Sequence, residues 1–181
     1  MNSSIKRYHR EYTNNKFERP FSPDHAMHIT LRSEMAQGSL SLLVPSTSSW
    51  IKAYIPSLVK RLPIRIYAWS LNSNHLHFVL QAACRKALQS FLRTLASRIT
   101  RFVLKGQSGN RFWSKRPYSR TLTWGREFKN ALRYVLRNAK EAIGKMLYVS
   151  RSDRAAMRRT NQVLAQILDS QERKQQLVLR L

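Results

Sequence analysis

The stretch IRIYAWSLNSNHLHFVLQ, residues 64–81, decides the fold of this chain. Ile64–Leu71 and His75–Gln81 are two runs rich in β-branched and aromatic residues, and Asn72, Ser73 and Asn74 between them are turn formers. Together they predict a β-hairpin. Downstream, Leu88, Phe91, Leu92, Leu95, Ile99, Phe102 and Val103 recur at three-to-four spacing, which predicts a helix over Arg85–Lys105 stopped by Gly106. Upstream, HAMHITLR (25–32) alternates Met27, Ile29 and Leu31 with His28, Thr30 and Arg32, a strand pattern. Ser33–Ser49 reads mostly as loop. Trp50–Leu62 reads as helix with Trp50, Ile51, Tyr54, Leu58, Val59 and Leu62 as its apolar set, and Pro56 predicts a kink or a late start. Arg111–Leu122 is basic and aromatic, with room for a last strand before Thr123. A second strong helix is expected over Gly125–Ile143, and a Gln-rich one from Thr160 with a short stripe of Val163, Leu164, Ile167 and Leu168. The order strand, helix, strand, strand, helix, strand implies an α+β domain of the split-βαβ kind, an antiparallel sheet backed by helices. The expected divisions are a basic arm at 1–24, a domain at 25–144 and a helical extension at 145–181.

Charge narrows the function. The 181 residues carry 33 Lys+Arg against 9 Asp+Glu, a formal net charge of +24. No carboxylate occurs between Glu34 and Glu127. That counts against enzymes built on clustered carboxylates, such as glycosidases and two-metal nucleases. The uniform positive field favours a polyanion, nucleic acid before an anionic membrane. No apolar run is long enough to span a bilayer, so no membrane partner is expected. The polar start, Met1–Tyr12, does not read as a secretory signal, and the single cysteine, Cys84, forms neither an intrachain disulfide nor a cysteine-based zinc site. A cytoplasmic protein is the default.

Two groups of residues could carry chemistry. His75 and His77 stand two apart on a strand, so both imidazoles face one side and could reach one metal ion. Two histidines on a half-exposed strand would show the same spacing. On the second helix, at about 100° per residue, Phe128, Leu132, Val135, Ala139 and Ile143 form the core stripe. Arg126, Lys129, Arg133, Arg137 and Lys140 form a basic side. A third lane holds Glu127, Tyr134, Asn138 and Glu141, with Tyr134 and Asn138 one turn apart. In a basic groove such a tyrosine could attack a phosphate; equally, it could be an amphipathic residue at the core edge with its hydroxyl in water.

HITLR (28–32), SNHLHFVLQA (73–82), RFWSKRPYSRTL (111–122) and GREFKNALRYVLRNAKEA (125–142) together resemble the REP-associated tyrosine transposases of the HUH single-tyrosine transposase superfamily. The likeness runs from about His25 to Gly144. It implies a ferredoxin-like antiparallel sheet backed by helices, with the catalytic tyrosine on a helix in the C-terminal half. It also implies that His75 and His77 bind Mg²⁺ or Mn²⁺ and that Tyr134 is the nucleophile. Asn138 occupies the place of the third ligand, with Glu141 as second choice. The reaction implied is attack on single-stranded DNA, leaving a 5′-phosphotyrosine link and a free 3′-hydroxyl, with no small-molecule cofactor. Relatives often carry a proline where this chain has Ala139, and the tail from Thr160 has no counterpart.

Many relatives bind hairpins from repetitive extragenic palindromes, so hairpin or single-stranded DNA is the expected partner. Arg32, Arg65, Arg111, Lys115, Arg116, Arg120, Arg133 and Arg137 are candidates for phosphate contacts. Phe112, Trp113 and Tyr118 are candidates for stacking on unpaired bases, although about half of such aromatics belong to cores. The resemblance leaves monomer and homodimer open, and suits a nucleoid-associated protein. A relative that binds hairpin DNA or RNA without cutting is the alternative; a ribonucleoprotein component and a nuclease using water are further rivals.

Overall fold

The computed structural model describes residues 20–106, 111–114 and 116–145, with isolated positions 153, 159 and 162. The expected arm apart from residues 20–24, the expected helix from Thr160 apart from position 162, and Lys115 lie outside the described residues. The elements are β1 (Ala26–Arg32), α1 (Pro45–Val59), β2 (Ile64–Leu71), β3 (His75–Ala82), α2 (Arg85–Val103), β4 (Tyr118–Leu122) and α3 (Arg126–Ala142), with a 3₁₀ turn at Gly38–Leu40. The strands form one sheet in the order β2-β3-β1-β4, every pair antiparallel. This is the α+β architecture expected.

The hairpin closes through Asn72 N–H donating to the His75 carbonyl at 2.9 Å, leaving Ser73 and Asn74 as the loop. That loop also anchors the segment after β1. Ser33 N–H donates to the Asn74 carbonyl at 2.8 Å and Leu42 N–H to the Ser73 carbonyl at 2.8 Å. The turn beside the two histidines is thereby held from two directions.

Strand periodicity gives the sheet two unlike faces. One carries Met27, Ile29, Leu31, Leu76, Phe78 and Leu80, and packs against Ile51, Ile55 and Leu58 of α1 and Leu88, Phe91, Leu92, Leu95 and Ile99 of α2. The other carries Ala26, Ala68, Val79 and Leu122 under Ala131 and Val135 of α3. Small residues at Ala26, Ala68 and Ala131 let α3 lie close to the sheet. β2 does not keep strict alternation: its pairing with β3 shifts between Ile66 and Ala68. This bulge at Tyr67 re-phases the strand, so Ile64 and Ile66 join the α1/α2 core together with Trp69 and Leu71, while Tyr67 and Ala68 both pack under α3.

Four sequence expectations need correction. α1 starts at Pro45, inside the segment read as loop, because a proline at the first helical position loses no hydrogen bond. Pro56 lies within α1 on its exposed side, where water can serve the freed Lys52 carbonyl, and the helix runs on to Val59. Phe102 is 37% exposed, stacked on Trp50 at a centroid distance of 4.6 Å instead of buried in the core. Ile143 is 57% exposed: α3 ends at Ala142, so the stripe that would have carried it inward has stopped, and Ala131 is buried instead.

The center of the larger core is Phe78, fully buried and edge-on to Phe91 at 5.5 Å. Phe78→Ala is expected to cost about 3–5 kcal/mol, the range for emptying an aromatic site in a packed core. A urea melt at neutral pH checks this; a loss under about 1 kcal/mol would mean that the surroundings collapse into the space.

Candidate active site

The α3 face of the sheet becomes polar toward the hairpin turn. Register places Thr30 opposite His77 and Arg32 opposite His75 on β1 and β3, with His28 two residues along β1 from Thr30. His28, Thr30, His75 and His77 therefore share one face. The His75 and His77 rings lie 4.7 Å apart and those of His28 and His77 5.4 Å apart. Val135 anchors α3 on this face, and its neighbour Tyr134 brings its ring edge-on to His77 at 5.3 Å and to His28 at 5.8 Å. Tyr134 is 44% exposed, so a ligand could reach its hydroxyl while the ring rests on the histidines. The structure thus joins residues 57 positions apart, His77 and Tyr134, within a single chain.

The imidazoles are held neutral. Burial, with the Arg120 guanidinium nearby, lowers His28 to about 4. Burial, with His75 and His28 beside it, lowers His77 to about 3. His75 is lowered by burial and by Arg32. Neutral imidazole is the form that ligates metals.

Hydrogen bonding leaves one nitrogen open on the central ring. His77 Nδ1 lies 2.9 Å from Thr30 Oγ1 and 3.3 Å from His28 Nε2. Its Nε2 is buried without a partner among the described residues. His75 Nδ1 meets Asn74 Oδ1 at 2.8 Å; it must donate there, which leaves its Nε2 as the lone pair. Two other buried polar atoms without partners, Ser70 Oγ and Asn72 Nδ2, lie at the same end of the β2–β3 hairpin, Ser70 directly opposite His77. Buried orphans are uncommon; the open His77 Nε2 suits a divalent cation, while Asn72 Nδ2 is a donor that could meet only an acceptor such as a water oxygen.

Among the described residues no three His, Cys, Asp or Glu side chains come together in a way that could hold a metal. Glu141 accepts from Arg137 Nε at 2.8 Å, one turn away on α3, and does not join the histidines. Asn138 donates from Nδ2 to the Tyr134 carbonyl at 2.8 Å, and it is the Oδ1 end that a cation would use.

Of the basic candidates, Arg32, Arg65, Arg111 and Arg116 are exposed, Arg65 lying 5.1 Å over the Tyr67 ring. Arg120 is paired with Glu127, whose other oxygen accepts from Thr123 N–H at 2.9 Å and so fixes the start of α3. Arg133 donates to Asn130 Oδ1 at 2.7 Å. Tyr118 belongs to the site, 41% exposed and edge-on to His28 at 6.5 Å. Phe112 does not offer a ring to a base: it is 2% exposed and part of the core. Trp113 packs on that core and its indole donates to the Ala96 carbonyl at 3.0 Å.

His28, Thr30 and Asn74 were missed as site residues. The period-two pattern of HAMHITLR already put His28 and Thr30 on the polar face of a strand; what it lacked was the partner strand.

Comparison with known proteins places the fold and the family. No protein of curated function matches the chain. Among solved structures, one described as the REP-associated tyrosine transposase bound to a REP hairpin is similar with a TM-score of 0.56 at 15% identity, over 68% of this chain and 72% of that one. A candidate transposase of Deinococcus radiodurans R1 is similar with a TM-score of 0.44 at 14% identity, over 69% of this chain and 98% of that one. Residues 21–138, which span all the strands, the paired histidines and Tyr134, match the family described as transposase IS200-like. The chain belongs to the IS200-like transposase family.

Proposed function

We propose that this protein is a metal-dependent single-stranded DNA nicking and joining enzyme that acts on hairpin DNA through a phosphotyrosine intermediate. The observation that carries the proposal is the Tyr134 ring, edge-on at 5.3 Å to a buried histidine whose Nε2 has no partner among the described residues. The Tyr134 oxygen attacks a backbone phosphorus, forming the bond from tyrosine to the 5′-phosphate. The bond to the 3′-oxygen breaks, and the tyrosine proton is balanced by the proton on the released 3′-hydroxyl. Attack by another 3′-hydroxyl reverses the step and joins strands, with neither ATP nor water consumed.

His75 and His77, with Asn138 Oδ1 as third ligand, would hold Mg²⁺ or Mn²⁺. When bound, the cation would neutralise charge at the phosphate. A ligand set of two imidazoles and an amide carries no charge, so cation affinity without DNA phosphate is low. Arg32, opposite His75 in the β1–β3 register, would hold the strand there, with the other exposed arginines along the hairpin. Because Tyr134 meets the histidines of its own chain, one subunit can supply the whole site. Among the described residues no helix is long and apolar enough to cross a membrane, which suits a cytoplasmic protein working at the nucleoid.

The alternative is a hairpin-binding protein that does not cut. A denaturing gel decides between them. The protein is mixed with 3′-labelled hairpin single-stranded DNA from the flanks of its own gene, in Mn²⁺ or Mg²⁺. The expected result is a slow, protease-sensitive band dependent on the cation. Absence of that band with two substrate sets, while salt-sensitive binding persists, would favour the non-cutting reading.

A further inference from the structure

In a histidine metal site, the ring nitrogen that does not touch the ion decides how the other one is aimed. Ligating imidazoles generally pass their second N–H to a carboxylate, a backbone carbonyl or water. His75 does something close to this, through Asn74 Oδ1 at 2.8 Å. His77 is different. Its Nδ1 meets a hydroxyl, Thr30 Oγ1 at 2.9 Å, and a second imidazole, His28 Nε2 at 3.3 Å. The chain has no carboxylate between Glu34 and Glu127, and Glu127 itself is engaged by Arg120 and Thr123.

We infer that Thr30 and His28 are positioning residues: from β1 they hold His77 with its proton on Nδ1 and so aim Nε2 at the divalent cation. This rests on the metal-site reading above. Two tautomers of His77 are available. With the proton on Nε2, a buried N–H would stand without an acceptor among the described residues, which is costly. With the proton on Nδ1, that N–H donates to Thr30 Oγ1, and His28 Nε2 lies near enough to share it. The open Nε2 is then a lone pair, which a cation satisfies.

The two partners have separate tasks. Thr30 is directly opposite His77 in the β1–β3 register, so the backbone fixes its hydroxyl against Nδ1. His28 stacks on His77 with 24° between ring planes and stands edge-on to Tyr134, so it limits rotation of the ligand ring and walls the nucleophile. Neither partner carries negative charge. They orient the ligand but raise its basicity less than a carboxylate would, in keeping with a cation that depends on DNA phosphate for much of its binding.

The test is a Mn²⁺ titration of the full chain followed by electron paramagnetic resonance. The Mn²⁺ concentration for half-maximal adduct formation is measured alongside. Thr30→Val combined with His28→Phe is expected to weaken Mn²⁺ binding about tenfold or more, the usual effect of losing outer partners. The adduct rate should recover when Mn²⁺ is raised to saturation. Thr30→Ser should bind Mn²⁺ like wild type, since it keeps the hydroxyl. If the double variant fails to fold, as judged by a melt in EDTA, Thr30→Val alone carries the test. An unchanged Mn²⁺ midpoint in whichever variant is scored, with binding lost in His75→Ala and His77→Ala, would overturn this inference and leave the metal site standing. Undiminished Mn²⁺ binding in both histidine variants would overturn the metal-site reading and this inference with it.

Discussion

Tyr134→Phe is expected to eliminate the covalent DNA adduct, a fall of at least about four orders of magnitude, because in the proposed reaction Tyr134 is the nucleophile and its loss leaves no covalent path. The substitution removes one atom. The ring, which rests edge-on against His77 at 5.3 Å and His28 at 5.8 Å, is retained. Since Tyr134 is 44% exposed, its hydroxyl is not a core group, and the melting temperature should stay close to wild type. DNA affinity should change by less than about fivefold, the worth of one hydrogen bond of about 1 kcal/mol. Gel shifts on the same hairpin, with and without denaturation, measure both quantities at once. Cleavage that survives in this variant, with products that carry no protein, would mean that water is the nucleophile. The histidine pair would then belong to a metal-dependent nuclease with Tyr134 as a neighbour.

Much of this arrangement was legible in the residues, and the limits have physical causes. Residues 64–81 read as a hairpin because turn chemistry and strand composition agree there; the closing bond from Asn72 to His75 is what Asn72, Ser73 and Asn74 implied. α2 was plain because seven apolar residues fall on one stripe, and six of them, all but Phe102, are buried. The start of α1 was hidden because Pro45 and its serines suit a loop as well as a first helical turn; burial of Thr47 and Ser48 settles the choice, and burial is tertiary. The bulge at Tyr67 was likewise invisible, since one inserted residue leaves composition unchanged and only re-phases the faces.

The site shows the same division. His75 and His77 could be paired by counting along one strand, and Tyr134 with Asn138 along one helix. Local periodicity is enough for such pairs. His28 and Thr30 required a third element, because their role depends on the register between β1 and β3, which no local pattern specifies. Phe112 was misread for a related reason. A basic, aromatic segment looks like a nucleic-acid surface, but whether a given ring turns outward depends on what packs behind it, and Phe112 fills the α1/α2 core.

Acid should unfold the metal-free protein early. His77 is lowered to about 3 and His28 to about 4, both chiefly by burial, while in the unfolded chain each titrates near its ordinary value of 6.5. The folded state therefore keeps these rings neutral where the unfolded state binds protons. Their contribution to stability is complete above about pH 6.5 and is lost progressively as pH falls toward 4 and then 3. One unit of displacement is worth about 1.4 kcal/mol, which is appreciable against a typical folding stability of about 5–15 kcal/mol. The two contributions do not add fully, since each ring is part of the other's surroundings. In the window from pH 6.5 to 4.5 the histidines titrate first. Burial pushes the Glu127 carboxyl up, but its bonds to Thr123 and the nearby Arg120 hold it below its ordinary 4.5, and it adds its own loss toward the acid end of that window. Urea melts in EDTA between pH 7.5 and 4.5 should show stability falling steadily from pH 6.5 downward. His28→Asn, which keeps a hydrogen-bonding side chain but cannot take up a proton, should flatten that slope. A wild-type stability constant across the window would mean that water reaches the rings in solution and that they are charged in the folded state as readily as in the unfolded one.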